Sequence, residues 1–181
     1  MIKVQLWAGT IPYLRYIACH YWLVVYRDDK AERWEVWQLA NQCESSWGHL
    51  HKNLMPNTAW LKGQNKWLEM EWLNDEATLI ANMLTASPEN YPHQQNYRYW
   101  PGPNSNSFIQ QILNLSGINY ALPPFAIGKD HHNWLSIGKI NDSWHFYSPL
   151  ISIKLLPQSG FELTCMGLGL GYSTNPFSFR L

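Results

Sequence analysis

The chain has 181 residues, 13 Lys+Arg against 13 Asp+Glu, and only 14% charged residues. That balance excludes the basic footprint of a nucleic-acid binder and the polybasic patch of a membrane-surface protein. Three cysteines, an odd number without C-x-x-C spacing, exclude a disulfide framework or a zinc knuckle, and one domain of this length needs neither to fold.

In chain order, residues 2–8 read as a first strand. Residues 17–27 (IACHYWLVVYR) read as a longer one, apolar on both faces and therefore central in a sheet. A polar turn at Asp28-Asp29-Lys30 leads to a returning partner strand, residues 33–39. Residues 41–65 are rich in Asn, Gln, Gly and His and read as a long functional loop. Residues 66–72 alternate, with Trp67, Glu69 and Glu71 on one face and Lys66, Leu68, Met70 and Trp72 on the other.

A helix is expected from Asn74 as N-cap, with Asp75 and Glu76 in its first turn, to a stop at Ser87-Pro88. A second runs from about Ser105 to Ser116, with Phe108, Ile109, Ile112, Leu113 and Leu115 apolar and Gly117 as its stop. From 118 onward short strands are expected at 134–140, 144–148, 151–155 and 161–166, before a Gly-rich, aromatic tail. The fold class is therefore α+β: a central, mainly antiparallel sheet packed on one or two helices, in a single domain spanning 1–181. No run of about 18 apolar residues occurs and no signal-peptide core follows Lys3, so the expectation is a soluble, cytoplasmic chain without a membrane span.

Eleven tryptophans and ten tyrosines are the compositional oddity. They suit a Trp-rich core or an aromatic-lined groove, and both readings stand. No histidine pair has a diagnostic metal spacing, and there is no P-loop, so no metal or cofactor is expected.

The chemistry concentrates in Trp100–Phe108 (WPGPNSNSF). Two prolines and a glycine deliver Asn104, Ser105, Asn106 and Ser107 to a helix N-terminus, where free N–H groups favour an anion or an oxyanion. Asn and Ser are also the ordinary N-cap residues, and Ser107 with Gln110 fits a capping box. A serine nucleophile needs a base, and His20, polar within an apolar strand, is the candidate. A hairpin turning over residues 28–32 would set Glu35 opposite Val24, roughly 13 Å from His20, too far to orient its ring.

Several segments together resemble an uncharacterised bacterial family, the domain of unknown function 3750. They are Trp7 in the first strand, His20-Tyr-Trp-Leu-Val-Val, Trp34-Glu-Val, YRYWPGPNSNSF (97–108), LPPFAIGKD (122–130) and the glycines around Gly167–Gly171. The match singles out Lys129 and Asp130 as possible lining of a site; as residues they read as a solvated turn. A second resemblance, over two short motifs, is to circularly permuted papain-like proteins of the NlpC and lecithin:retinol acyltransferase type. These place a His on an early strand and a nucleophilic Cys at a later helix N-terminus. His20 and Asn104-Ser105-Asn106-Ser107-Phe108 follow that order, with Ser105 in place of the Cys.

That resemblance implies a hydrolase or acyltransferase for amides or esters. Ser105 would attack, His20 would move the proton, N–H groups near Ser105–Ser107 would hold the oxyanion, and Asn104 and Asn106 would orient a peptide or acyl substrate. A serine is a poor substitute for a thiolate without strong activation, so the alternative is a non-catalytic, Trp-rich binding module for a small-molecule, peptide or acyl ligand.

Overall fold

The computed structural model describes residues 1–14, 18–123, 125–131, 135–140, 143–148, 150–156, 160–165, 168–174 and 177–180. The expected class is found, an α+β fold, but among the described residues its strands form two sheets of six rather than one. The strands expected at 134–140 and 161–166 begin and end partly outside the described residues.

The first sheet contains β1 (Ile2–Thr10), β2 (Cys19–Arg27), β3 (Lys30–Val36), the short β4 (Ser46–Trp47) and β5 (Leu50–Lys52), and β6 (Lys66–Leu73), in the order β4-β5-β3-β2-β1-β6. The apolar run of β2 sits at its interior, and seven of its nine residues are buried, as a strand apolar on both faces requires. The β2–β3 turn is tighter than expected. Arg27 pairs with Lys30, so only Asp28 and Asp29 lie outside the ladder, with Asp28 at φ 52. This moves the register by two residues from the expected one, which keeps Glu35 on the face of His20 and brings it two positions nearer along the strand.

The alternation expected in β6 breaks for a comparable reason. A bulge opposite Leu6/Trp7 leaves Glu69 without a partner on β1, so Trp67 and Trp72 both pack towards the helices while Glu71 pairs with Gln5.

Both helices cover one face of this sheet, α1 (Asn74–Asn90) over β1 and β6, and α2 (Ser105–Leu115) over β2 and β3. Helix α1 begins at Asn74 rather than after it and runs past its proline. Pro88 offers no N–H to the Leu84 carbonyl, and the Ser87 hydroxyl donates there instead at 2.6 Å, so the helix continues for a further turn. The stripe of α2 buries Phe108, Ile109, Ile112 and Leu113, roughly 1.5–3 kcal/mol for each side chain removed from water. Gly117 follows at φ 71, the left-handed position that ends a helix.

The second sheet is an antiparallel meander of β7 (Ser136–Ile140), β8 (Ser143–Tyr147), β9 (Ile151–Leu156), β10 (Gly160–Cys165), β11 (Leu168–Thr174) and β12 (Phe177–Arg180). Buried Lys129, just before it, donates to Glu162 of β10 and ties it to the body.

Candidate functional site

Three buried polar groups occupy the sheet face away from the helices. Alternation along β2 sends Cys19, Tyr21, Leu23 and Val25 to the helix side and His20 and Trp22 to the other. On that face Glu35 Oε2 lies 3.0 Å from His20 Nε2 and 2.8 Å from Arg33 Nη2, and Arg33 Nε is 2.6 Å from Glu35 Oε1. Arg33 and Glu35 are fully buried. Arg33 also donates to the Pro56 and Ala59 carbonyls and lies 4.3 Å over the Trp22 ring. The expectation that Glu35 stands too far from His20 is therefore overturned by the two-residue turn.

The charge states follow from the surroundings. Burial lowers the His20 pKa and outweighs the Glu35 carboxylate, which acts to raise it. Burial would push Glu35 up, but the His20 hydrogen bond and the Arg33 charge together hold it below the usual carboxylate range. The group is thus a cation, a carboxylate and a neutral imidazole that donates from Nε2.

Tryptophans close over this group. The His20 ring stacks on Trp60 at 4.9 Å and meets the Trp37 edge at 5.3 Å, while Trp60 stacks on Trp22 at 5.2 Å. Trp60 belongs to the polar 41–65 segment, and its indole donates to the Thr10 carbonyl at 3.0 Å. A Cβ on Gly9 would enter the Trp60 ring, which is why that strand position carries glycine. Much of the tryptophan excess is thus used to pack the first sheet, and the 41–65 segment serves as its cover.

The PGPNSN segment is built into the opposite side. Asn104 is the N-cap of α2. Its Oδ1 accepts from the Asn106 and Ser107 N–H groups at 2.9 and 3.2 Å, and the Ser107 hydroxyl accepts from Asn104 N at 2.9 Å. The capping box is therefore Asn104 with Ser107, not Ser107 with Gln110; Ser107 is its third helical residue. The Ser105 hydroxyl donates to the Tyr21 carbonyl at 2.6 Å and accepts from Val36 N at 3.4 Å. Asn106 spans the same strand, accepting from Tyr21 N and donating to the Cys19 carbonyl. These side chains fasten α2 to β2 and β3 by satisfying strand-end groups that would otherwise be buried unpaired.

One cavity connects the two groups at their edges. Its volume is about 390 Å³, within the range of small-ligand pockets. His20, Ser105, Asn104 and Asn106 border it, but most of its wall is apolar, from residues 11–14 and from Ala18, Tyr97, Tyr99 and Ile127. Tyr13, Leu14 and Tyr99 are exposed at its rim. Cys19 borders it too, its thiol pushed up to about 11 by burial and by Glu69.

The structure thus gathers four of the expected site residues around one space without joining them as a catalytic pair. Among the described residues no hydrogen bond links Ser105 to His20; the serine bonds to the main chain on the helix side, and the imidazole bonds to Glu35 on the other. Lys129 and Asp130 do not line this cavity. Lys129 is buried rather than solvated, and Asp130 borders a small hollow of about 30 Å³ between α2 and the second sheet. The tyrosines and Arg33 were not singled out in the sequence; the Tyr97-x-Tyr99 pair before the proline turn was the available signal for the cavity wall.

Among the described residues no cluster of His, Cys, Asp and Glu is arranged to hold a metal ion, and no helix is long and apolar enough to cross a membrane. Fold and site define an α+β protein whose α2 N-terminus, with its Asn106 and Ser107 N–H groups capped by Asn104, lies beside an apolar cavity. By sequence comparison residues 1–131 match the model of a family described as protein of unknown function (DUF3750), and the chain belongs to that family. The matched span ends before β7, so the glycines around Gly167–Gly171 fall outside it; Gly167 is also outside the described residues. No curated protein and no solved structure matches the chain.

Proposed function

We propose that the chain is a non-catalytic binding module that takes the apolar part of an acyl or peptide ligand into the cavity beside the α2 N-terminus. The observation that carries this reading is the commitment of the helix N-terminus to its own chain. The Asn106 and Ser107 N–H groups, which would hold an oxyanion, bond to Asn104, and the Ser105 proton goes to the Tyr21 carbonyl. A nucleophile in that state has no base, whereas an apolar wall of this size has a use without chemistry.

The Ser/His hydrolase remains the second reading, favoured by one feature. His20 is held by Glu35 as a catalytic base is held by its orienting carboxylate, and it borders the same cavity as Ser105. Attack by Ser105 would first require its hydroxyl to leave Tyr21.

Titration with decanoate and with an N-acyl dipeptide, read by tyrosine and tryptophan fluorescence, tests the proposal. Saturable one-to-one binding of either probe, weakened at least tenfold by Leu14→Glu on the exposed rim, supports it. Hydrolysis of p-nitrophenyl esters by the unaltered chain, lost in Ser105→Ala and kept in Ser105→Cys, would replace it with the hydrolase.

A further inference from the structure

The second sheet has its polarity reversed. In a half-buried strand the apolar positions face the body and the polar ones face water. Here Ser152 and Glu162 are buried, at 9% and 7% exposure, while Ile151, Ile153 and Leu155 between and beside them are 44%, 38% and 51% exposed. The register extends the pattern across neighbouring strands. Trp144 pairs with Leu155 and Ile153 pairs with Leu163, and these are 56% and 36% exposed at Trp144 and Leu163; Ile137 of β7, paired with Phe146, is 71% exposed. The inner face is held by polar groups, with Lys129 donating to Glu162.

We propose that this face is the contact surface between two copies of the chain, packed sheet against sheet about a twofold axis. Three observations favour a second copy as the occupant. The first is area. The exposed parts of Ile137, Trp144, Ile151, Ile153, Leu155 and Leu163 amount to on the order of 600 Å², at the top of the range for the largest patch on a typical monomer. Phe161 and Cys165, exposed on the same face opposite Leu155 and Ile151, extend it towards the roughly 800 Å² per partner of a standard interface.

The second is charge. Among the described residues the exposed charge on this face is Lys139, on the edge strand β7, where face-to-face packing leaves it at the rim. A face that is otherwise neutral meets itself without like-charge repulsion, so it is self-complementary, as an isologous contact requires. The third concerns the rival occupant. A membrane surface recruits proteins through clustered Lys and Arg, and this chain has zero net charge and one lysine on the face. Two apolar sheet faces, by contrast, pack readily at about 10 Å with interdigitated side chains.

Sedimentation velocity of the full chain, from micromolar to high-micromolar concentration, reads this directly. A monomer–dimer equilibrium is expected. Ile153→Lys should weaken it by at least about a hundredfold, because each variant dimer buries two uncompensated charges. Leu155→Lys, at an exposed position of the interior strand β9, provides the same test with little demand on folding. Circular dichroism confirms that either variant is folded. Independently of any variant, the exposed Cys165 on β10 should react with an aromatic disulfide reagent more slowly as protein concentration rises. A chain monomeric throughout, or a dimer indifferent to both lysines, would overturn the proposal. So would a monomer that floats with neutral and anionic phosphatidylcholine/phosphatidylserine vesicles and loses that flotation in Ile153→Lys; the face would then be a membrane contact.

Discussion

Replacing Glu35 by Gln removes one charge and almost no volume from the buried Arg33–Glu35–His20 group. The new amide oxygen would still accept at one position, while the amide NH2 would set a donor against a donor at the other, so the change removes the charge and one acceptor together. Glu35 contacts Arg33 through both carboxylate oxygens, at 2.6 and 2.8 Å, and both residues are fully buried. At charge-centre distances near 4 Å and an effective dielectric of about 20, the attraction between them is about 4 kcal/mol. Losing it leaves a buried guanidinium held by neutral groups, among them the Pro56 and Ala59 carbonyls and the Trp22 ring. The expected destabilisation is about 3–5 kcal/mol, or a fall in Tm of about 10 °C for a chain of this size. Urea unfolding, followed by tryptophan fluorescence with the slope checked for constancy, measures it. The double variant Arg33→Met/Glu35→Leu should recover most of the loss, because no lone charge is then buried. A Glu35→Gln loss under about 1 kcal/mol, or a double variant worse than the single, would refute the ionised pair.

Acid should weaken the fold before the carboxylates titrate. His20 and His51 are buried with pKa values lowered from 6.5, so below that pH the unfolded chain takes up protons that the folded chain refuses. Stability is then fully present above about pH 6.5 and lost as pH falls, by up to about 1.4 kcal/mol per unit for each histidine, and Glu35 adds a further loss at lower pH. Urea midpoints between pH 7 and pH 5 that stay flat or rise would contradict these ionisation states; His20→Gln should flatten the slope. Asn104→Ala removes the cap of α2 and the donors to the Tyr99 and Ile127 carbonyls, and should cost about 3 kcal/mol with faster amide exchange in the first turn of α2. Gly117→Ala and Gly128→Ala both place alanine in the left-handed region, at φ 71 and φ 84. Gly117 has open space where its Cβ would go and should cost about 1–2 kcal/mol, whereas at Gly128 a Cβ would meet the Asn104 amide, so that variant should be clearly the worse in the same urea assay.

Local signals in the sequence determined much of the first sheet and both helices. An apolar run broken by one histidine marked β2 as an interior strand, and the polar Asn-Ser-Asn-Ser run before an apolar stripe marked the start of α2. These are effects of nearest neighbours: hydrophobic period, capping hydroxyls and amides, and glycine at the helix end. The α+β class follows from these stretches together with the short strands read after residue 118, and the family from stretches of which all but the late glycines lie before residue 132. What the sequence did not contain was register and distance. Whether the β2–β3 turn uses two residues or more decides whether Glu35 meets His20, and no composition distinguishes the two. The bulge beside Leu6 likewise reassigns Trp67 and Glu71 to different faces.

The tertiary structure alone decided the fate of the helix N-terminus. Free N–H groups and a serine read as an oxyanion site along the chain; folding brings Tyr21 and Val36 to the Ser105 hydroxyl, and Asn104 takes up the Asn106 and Ser107 N–H groups. The cavity is another such outcome, assembled from segments around residues 12, 19, 98, 105 and 127 that no sequence period relates. The reversed polarity of the second sheet has the same origin. An alternating strand such as Ile151–Leu156 specifies two unlike faces, but which of them is covered depends on what the rest of the chain, or a second copy of it, places there.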